Sequence, residues 1–310
     1  MTPRSARVPW LVSFLLLAAI WGCSFWWIKL GLESFTSLEV AFGRLALGAV
    51  ALLVVSLATR APLPHGAATW RHLAVLALLL NSAPFTLFAF GETHISSVLA
   101  GIINAMTPLA TLAVVLAAFP EERPTVERVV GLVVGFLGVL VVLGVWRGLE
   151  SGELAGVAAC LAAVCCYGVA FPYARRHLGA ATDGPVSLAT GQVLLGAAFL
   201  VPLLLAVEVL GHRDPRPEVT VDSVTGMLAL GVLGSGLAYV LNFRVIAAVG
   251  GSTASAVTYL TPVVAVVVGV AFLSESLTWS EPAGAAIVLL GVALTQGRLG
   301  RRSPVLRRAT

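Results

Sequence analysis

Three stripes of polar and aromatic residues, each set inside a long apolar run, are the parts of this chain whose types and spacing could do chemistry. Trp21 and Phe25 stand at i, i+4 in one run, and Tyr167 and Phe171 repeat that spacing in a later one. Asn81, Phe85 and Phe88 recur as Ser235, Tyr239 and Asn242 at i, i+4, i+7, a spacing that puts each set on one helical face. Gly101, Asn104 and Pro108 recur as Ser255, Thr258 and Pro262, with Tyr259 beside Thr258. Lipid is as apolar as leucine, so polar side chains inside a span turn toward neighbouring helices or a cavity. Aromatic faces and a few amide or hydroxyl groups can hold and orient an organic solute. The competing reading is that the small and amide side chains only pack helices together and the aromatics fill gaps.

Arg44 adds a charge to this set. It lies inside the second apolar run, about 9 Å below its outer end at ~1.5 Å per residue. It could meet a solute carboxylate, snorkel to headgroups, or bond a helix-end carbonyl. Gln192 occupies the matching place in the second half, still polar, so this position faces inward in both copies. Pro108 and Pro262 interrupt their helices and are candidate gating points. Trp26 and Trp27, near the outer end of the first run, suit interfacial anchoring.

The missing groups exclude much. No Asp or Glu lies at a span midpoint, since Glu39, Glu92 and Glu208 are all near ends, and the 5 His residues fall in loops or at span edges. Paired carboxylates, a Ser/His pair and HExxH are absent from the spans, so intramembrane hydrolysis has no machinery. Cys23, Cys160, Cys165 and Cys166 lack partners at metal-ligand spacing and read as small packing residues. No metal or other cofactor is implied. A proton relay lacks an obvious residue, which leaves a gradient-driven facilitator or coupling through Glu39 or Glu92.

The elements that must position these residues are membrane helices. Hydrophobic residues make up 58% of the 310 and charged residues only 11%, with a mean hydropathy of +0.97. A soluble domain carries roughly 25% charged residues. The net charge of +4 is small and implies no nucleic acid partner; the bilayer is the partner. Arg4 and Arg7 before the first run imitate a signal peptide, yet the run is long enough to span and is read as a retained helix. Apolar segments of spanning length fall near 9–30, 38–58, 72–91, 96–119, 128–145, 154–174, 186–209, 224–246, 252–273 and 283–297. Basic residues cluster on the side that holds both termini, while only Lys29, Arg147, Arg213 and Arg216 fall in the opposite loops. The positive-inside rule therefore places both termini in the cytoplasm.

Repetition sets the architecture. The run SSVLAGIINAMTPLATLAVVLAAF, its elbow at Glu121 and the helix that follows return around Thr261-Pro262 and Glu275. Gly131, Gly138 and Gly144 face Gly284, Gly291 and Gly297 in the second copy. The expected fold is an all-α membrane protein with ten transmembrane helices as two inverted five-helix repeats, 1–149 and 150–310. An odd helix count inverts the second copy, an arrangement that recurs in secondary transporters with a site between the halves. Gly131, Gly135 and Gly138 allow close helix approach, so the fifth and tenth helices either buttress the bundle or form a dimer face. The chain is accordingly a monomer or a homodimer.

Trp21-Gly22 with Lys29, Arg44 in the second helix, and the paired Pro108/Glu121 and Pro262/Glu275 hairpins resemble the drug/metabolite transporter superfamily, in its EamA-type members. The resemblance covers nearly the whole chain in two copies. It implies a multi-pass bacterial inner-membrane carrier, usually an exporter of amino acids or related metabolites, with helices 1–4 and 6–9 around a central cavity and alternating access. The aromatic lining is similar to that expected of YddG-like aromatic amino acid exporters. The second copy departs at Tyr167 and Gln192, where Trp and Arg stand in the first. Sugars, nucleosides and drug-like solutes remain the alternative cargo, and a non-transport membrane protein a more distant one.

Overall fold

A computed structural model describes residues 10–118, 125–144, 146, 151–178, 183–210, 218–249, 257 and 260–295. Its helices are α1 (Trp10–Leu32), α2 (Ser37–Thr59), α3 (Ala67–Glu92), α4 in two pieces (Ser97–Asn104 and Thr107–Ala118), α5 (Val126–Val142), α6 (Ser151–Leu178) and α7 (Pro185–Val209). There follow α8 in three consecutive pieces (Val221–Leu228, Ala229–Leu237 and Ala238–Val249), α9 (Thr261–Leu273) and α10 (Ser280–Thr295). Among the described residues there is no strand, and 7 helices are long and apolar enough to cross a membrane. Three shorter apolar helices, Val129–Leu143, Thr261–Leu273 and Ser280–Leu294, accompany them. Large apolar side chains such as Leu57 (79% exposed) and Val209 (83%) face outward, as a lipid-facing surface requires.

Helix ends are capped locally, because lipid offers no water to an orphan N–H or C=O. Thr36 and Glu39 form a reciprocal capping box at the start of α2. Ser96 and Thr220 accept from Leu99 and Ser223 at the starts of α4 and α8. Glu275, on the connection between α9 and α10, reaches across to accept from the backbone N–H groups of Ser97 (2.8 Å) and Val98 (3.0 Å). A carboxylate there complements the positive end of the α4 dipole. Its sequence counterpart Glu121 lies outside the described residues. In the loops, the ring and backbone N–H of exposed His65 both bond Asp183, and those hydrogen bonds hold the Asp183 carboxyl below its ordinary range.

Two helices widen at matching points. In α3 the backbone runs as a π-helix over Ala77–Ser82, and in α8 over Ala229–Leu237. Pro84 has no N–H to offer the Leu80 carbonyl, which loosens the ladder just before it. Ser82 Oγ lies 3.2 Å from the Ala77 carbonyl and 2.9 Å from that of Gly196, and its hydroxyl ties the widened turn to α7. Such bulges are frequent at functional sites, and these two hold Asn81 and Ser235. The run read as one span over 96–119 is likewise broken: α4 stops at Asn104 and restarts at Thr107, whose hydroxyl donates to the Asn104 carbonyl (2.8 Å). Pro108 is the second residue of the restarted piece and Pro262 the second residue of α9.

Small residues decide which helices meet. A Cβ on Gly22 of α1 would fall 2.4 Å from Val264 Cβ of α9, and one on Gly48 of α2 would fall 2.6 Å from Ser235 Cβ of α8. Gly91 of α3 admits Cys160 of α6, and Gly168 of α6 admits Ala110 of α4. α5 and α10 pack on each other within the chain: Gly138 and Gly284 rest on the backbones of Val288 and Val142, and Gly291 on that of Gly135. Trp27 does not stand free at the rim either, but packs on the buried cluster of Ile28, Val40, Met227 and Leu230, and Trp26 stacks on Phe272 at 4.6 Å.

Candidate functional site

A cavity of about 160 Å³ lies where α1, α2, α3, α4, α6, α8 and α9 converge. Ten of the residues picked out from the sequence line it: Trp21, Phe25, Arg44, Phe85, Phe88, Asn104, Tyr167, Phe171, Tyr239 and Asn242. One wall is a run of ring contacts across three helices. Phe25 meets Phe88 edge-on at 5.8 Å, Phe88 stacks on Tyr167 at 6.1 Å, and Tyr167 tilts against Phe171 at 6.3 Å. Offset and edge-on geometries suit ring quadrupoles. Phe171 is 47% exposed, so the wall opens at that point.

Arg44 forms the opposite pole. It is 7% exposed, its Nε donates to Ser235 Oγ at 3.0 Å, and its guanidinium lies 3.7 Å from the centre of the Phe85 ring. The side chain is therefore turned inward rather than toward headgroups. Among the described residues it has no carboxylate at ion-pair distance; the contact of that kind found there is His65–Asp183. A buried guanidinium with one donor used and a ring beneath it is partly compensated and still presents donors to whatever fills the cavity.

Behind the lining stand Asn81, Gln192 and Ser235. Gln192 Nε2 donates to Asn81 Oδ1 (2.6 Å), and Asn81 Nδ2 donates to the Tyr239 hydroxyl oxygen (2.6 Å). The Tyr239 proton is thereby left free to point into the cavity. The pairing is crosswise. Arg44 and Gln192 are sequence counterparts, as are Ser235 and Asn81, and the structure joins Arg44 to Ser235 and Gln192 to Asn81. Gly196 admits Asn81 (3.1 Å to a Cβ) as Gly48 admits Ser235. Asn81→Leu should leave the Gln192 amide and the Tyr239 hydroxyl unbonded, at about 1–3 kcal/mol for each buried orphan. A lowered thermal unfolding midpoint in detergent checks this.

Gly101 also stands back from the lining, since a Cβ there would meet Ala265 at 2.7 Å and the Phe25 ring at 3.5 Å. Ser255, Thr258 and Tyr259 lie outside the described residues. Sequence reasoning missed Ser24, Ile28, Leu80, Thr107 and Thr261, which also line the cavity. The repeated Thr-Pro pairs were a signal for the two threonines. Ser24, by contrast, hides its hydroxyl by donating to the Ile20 carbonyl (3.1 Å), and Ile28 and Leu80 look like any packing residue.

No cluster of His, Cys, Asp or Glu among the described residues could hold a metal ion. The arrangement offers ring faces, amide and hydroxyl donors, and one cationic pole. Those groups are chemically complementary to a small organic anion or zwitterion.

The comparisons agree with a membrane carrier. The profile of the EamA-like transporter family matches twice, over residues 8–144 and 154–296. The chain is 30% identical to a probable terminal-alkyne amino-acid exporter of Streptantibioticus cattleyicolor over 94% of each chain. It is 25% identical to the uncharacterized inner membrane transporter YedA of Escherichia coli, over 93% of this chain and 90% of that one. A solved crystal structure superposes with a TM-score of 0.64 at 18% identity, covering 93% of this chain and 97% of the other. Two matches that together span most of the chain make it a multi-pass membrane transporter, and it belongs to the EamA-like transporter family of the drug/metabolite transporter superfamily.

Proposed function

We propose that the protein exports small organic solutes, amino acids first among them and aromatic ones included, by alternating access through this cavity. The observation that carries the reading is Arg44: a buried cation on the cavity wall with no acidic partner at ion-pair distance among the described residues. Leaving such a charge uncompensated is costly, and a solute carboxylate is the group that completes it, in the bidentate geometry guanidinium favours. The ring wall of Phe25, Phe88 and Tyr167 then receives an apolar or aromatic side chain. The volume argues the same way, because drug-sized ligands occupy pockets of roughly 300 Å³ and above. A relative named as an amino-acid exporter supports the choice.

In this reading the machine is two inverted five-helix repeats, residues 1–149 and 150–310, with ten spans and both termini in the cytoplasm of a bacterial cell. The crosswise contacts of Arg44 with Ser235 and Gln192 with Asn81, and the π-helical turns at corresponding places, support a two-fold relation between the halves. Pro108 and Pro262 sit where helices start beside the cavity and serve as gating points. The working unit is a monomer, since the glycine faces of α5 and α10 are used on each other.

Counterflow in proteoliposomes tests the cargo. Labelled amino acids should exchange, while sugars and nucleosides should not; exchange of the latter alone would overturn the assignment. Alanine at Trp21 or Asn104 should lower transport kcat/KM about tenfold, the equivalent of ~1.4 kcal/mol, with unchanged membrane abundance. Normal rates in both variants would mean that the cavity is not the pathway.

A further inference from the structure

We propose that Glu92 carries a proton that moves inward as solute moves outward, with Lys29 switching the carboxyl between its two forms. The proposal rests on the export reading above and adds its driving force.

Glu92 continues the cavity stripe of α3. Asn81, Phe85, Phe88 and Glu92 follow one another at helical spacing, so the carboxyl lies one turn, about 5.4 Å, beyond Phe88 toward the outer end. It is 1% exposed, and neither oxygen has a hydrogen-bond partner among the described residues. Buried carboxylates that serve structure are paired or hydrogen-bonded, and this one is neither. Glu39, the other candidate from the sequence, accepts from the Thr36 N–H and hydroxyl in its capping box and is thereby accounted for as a cap.

The groups around Glu92 leave a proton as the fitting cation. On α1, the Lys29 ammonium donates to the main-chain carbonyls of Glu92 itself (2.5 Å) and Ile95 (2.8 Å), not to the carboxyl. On the α9–α10 connection, Glu275 spends its oxygens on the Ser97 and Val98 N–H groups. Arg44 on α2 also acts on Glu92 through its charge, while Cys160 on α6 is a titratable neighbour. His94, two residues on, is exposed and bonded to Thr93 and the Phe90 carbonyl. Calcium and magnesium take six or more oxygen ligands, which the side chains and carbonyls named here do not supply. A proton needs one.

Two states follow. With the proton on, the carboxyl is neutral and Lys29 latches the outer ends of α1 and α3 together through the carbonyls, as seen here. With the proton off, the Lys29 ammonium has a carboxylate within reach of a side-chain swing, and moving to it releases the latch. Opening outward lets the carboxylate take a proton from that side; opening inward returns the proton to the cytoplasm. One O–H bond forms on the Glu92 carboxyl and the same bond breaks. A packed element with two arrangements, biased by a local charge change, is the usual form of such coupling.

The experiment uses the full chain in proteoliposomes, with labelled L-phenylalanine as the probe. For one-for-one exchange, an imposed gradient of one pH unit should accumulate the probe up to about tenfold on the acidic side, against the proton flow. Glu92→Gln, held in the neutral form with Lys29 on the latch, should lose both counterflow and the response to the gradient, while Glu92→Asp should retain both with a displaced pH–rate profile. A wild-type protein indifferent to the gradient, one driven by sodium instead, or a Glu92→Gln variant that still accumulates the probe would each overturn the proposal. Full counterflow in Glu92→Gln, or an Asp variant with an unaltered pH–rate profile, would also overturn it, and the Asp variant separates this role from a Gln variant that merely fails to fold. Absence of counterflow in the wild type is a separate failure, of the solute reading itself.

Discussion

Arg44→Ala should lower kcat/KM for amino acid transport by about 100-fold while the amount of folded protein in the membrane stays near normal. Removing one partner of a buried, hydrogen-bonded charge pair costs 2–5 kcal/mol, and about 3 kcal/mol corresponds to roughly 100-fold. The partner removed here is the protein's side of the contact with the solute carboxylate. The fold should tolerate the change because, among the described residues, Arg44 has no acidic partner to be stranded; its contacts there are Ser235 and the Phe85 ring. Arg44→Lys separates charge from shape. It keeps a cation but loses the planar fork and the stacking on Phe85, so activity should fall between wild type and the alanine variant. Counterflow of L-phenylalanine together with membrane abundance reads both. Full activity in Arg44→Ala would remove Arg44 from the pathway.

Gly291→Leu should damage the fold rather than the chemistry. A Cβ at Gly291 would lie 2.4–2.7 Å from the backbone atoms of Gly131 and Gly135, and backbone, unlike a flexible side chain tip, cannot turn aside. Overpacking typically costs 1–3 kcal/mol and sometimes more, so the unfolding midpoint in detergent should fall by at least several degrees. The variant distinguishes the two uses of this face. A face that paired separate copies would lose oligomer and keep its midpoint, whereas a helix pair inside one chain loses stability at constant mass. An unaltered midpoint would show that α5 and α10 are not held together through these glycines.

How much of this was readable beforehand depends on the kind of residue. The stripes were legible because a polar or aromatic side chain recurring at helical spacing in an apolar run is costly in lipid unless it faces inward. Trp21, Phe25, Phe85, Phe88, Tyr167, Phe171 and Tyr239 accordingly meet around one cavity. What periodicity does not resolve is depth. Asn81, Gln192 and Ser235 lie on the correct faces yet stand behind the lining, where they orient Tyr239 and Arg44. A helical face is broad enough to hold both a lining residue and its support, and only the approach of the neighbouring helix decides which is which.

Glu92 shows the same limit from the other side. As a letter near the end of an apolar run it resembles Glu39, and composition treats the two alike. One becomes a helix cap because Thr36 precedes it by three residues, a local matter. The other becomes a buried carboxyl with no hydrogen-bond partner among the described residues, because Lys29 turns to main-chain carbonyls instead.

By itself, then, the sequence determined the membrane class, the duplicated plan and the faces that must avoid lipid, all of which follow from side-chain polarity and period along one chain. Tertiary structure alone decided the crosswise pairing of Arg44 with Ser235 and Gln192 with Asn81, the use of α5 and α10 on each other, and the isolation of Glu92. Those depend on how closely helices approach, which is set by the contact of small residues distant in the chain.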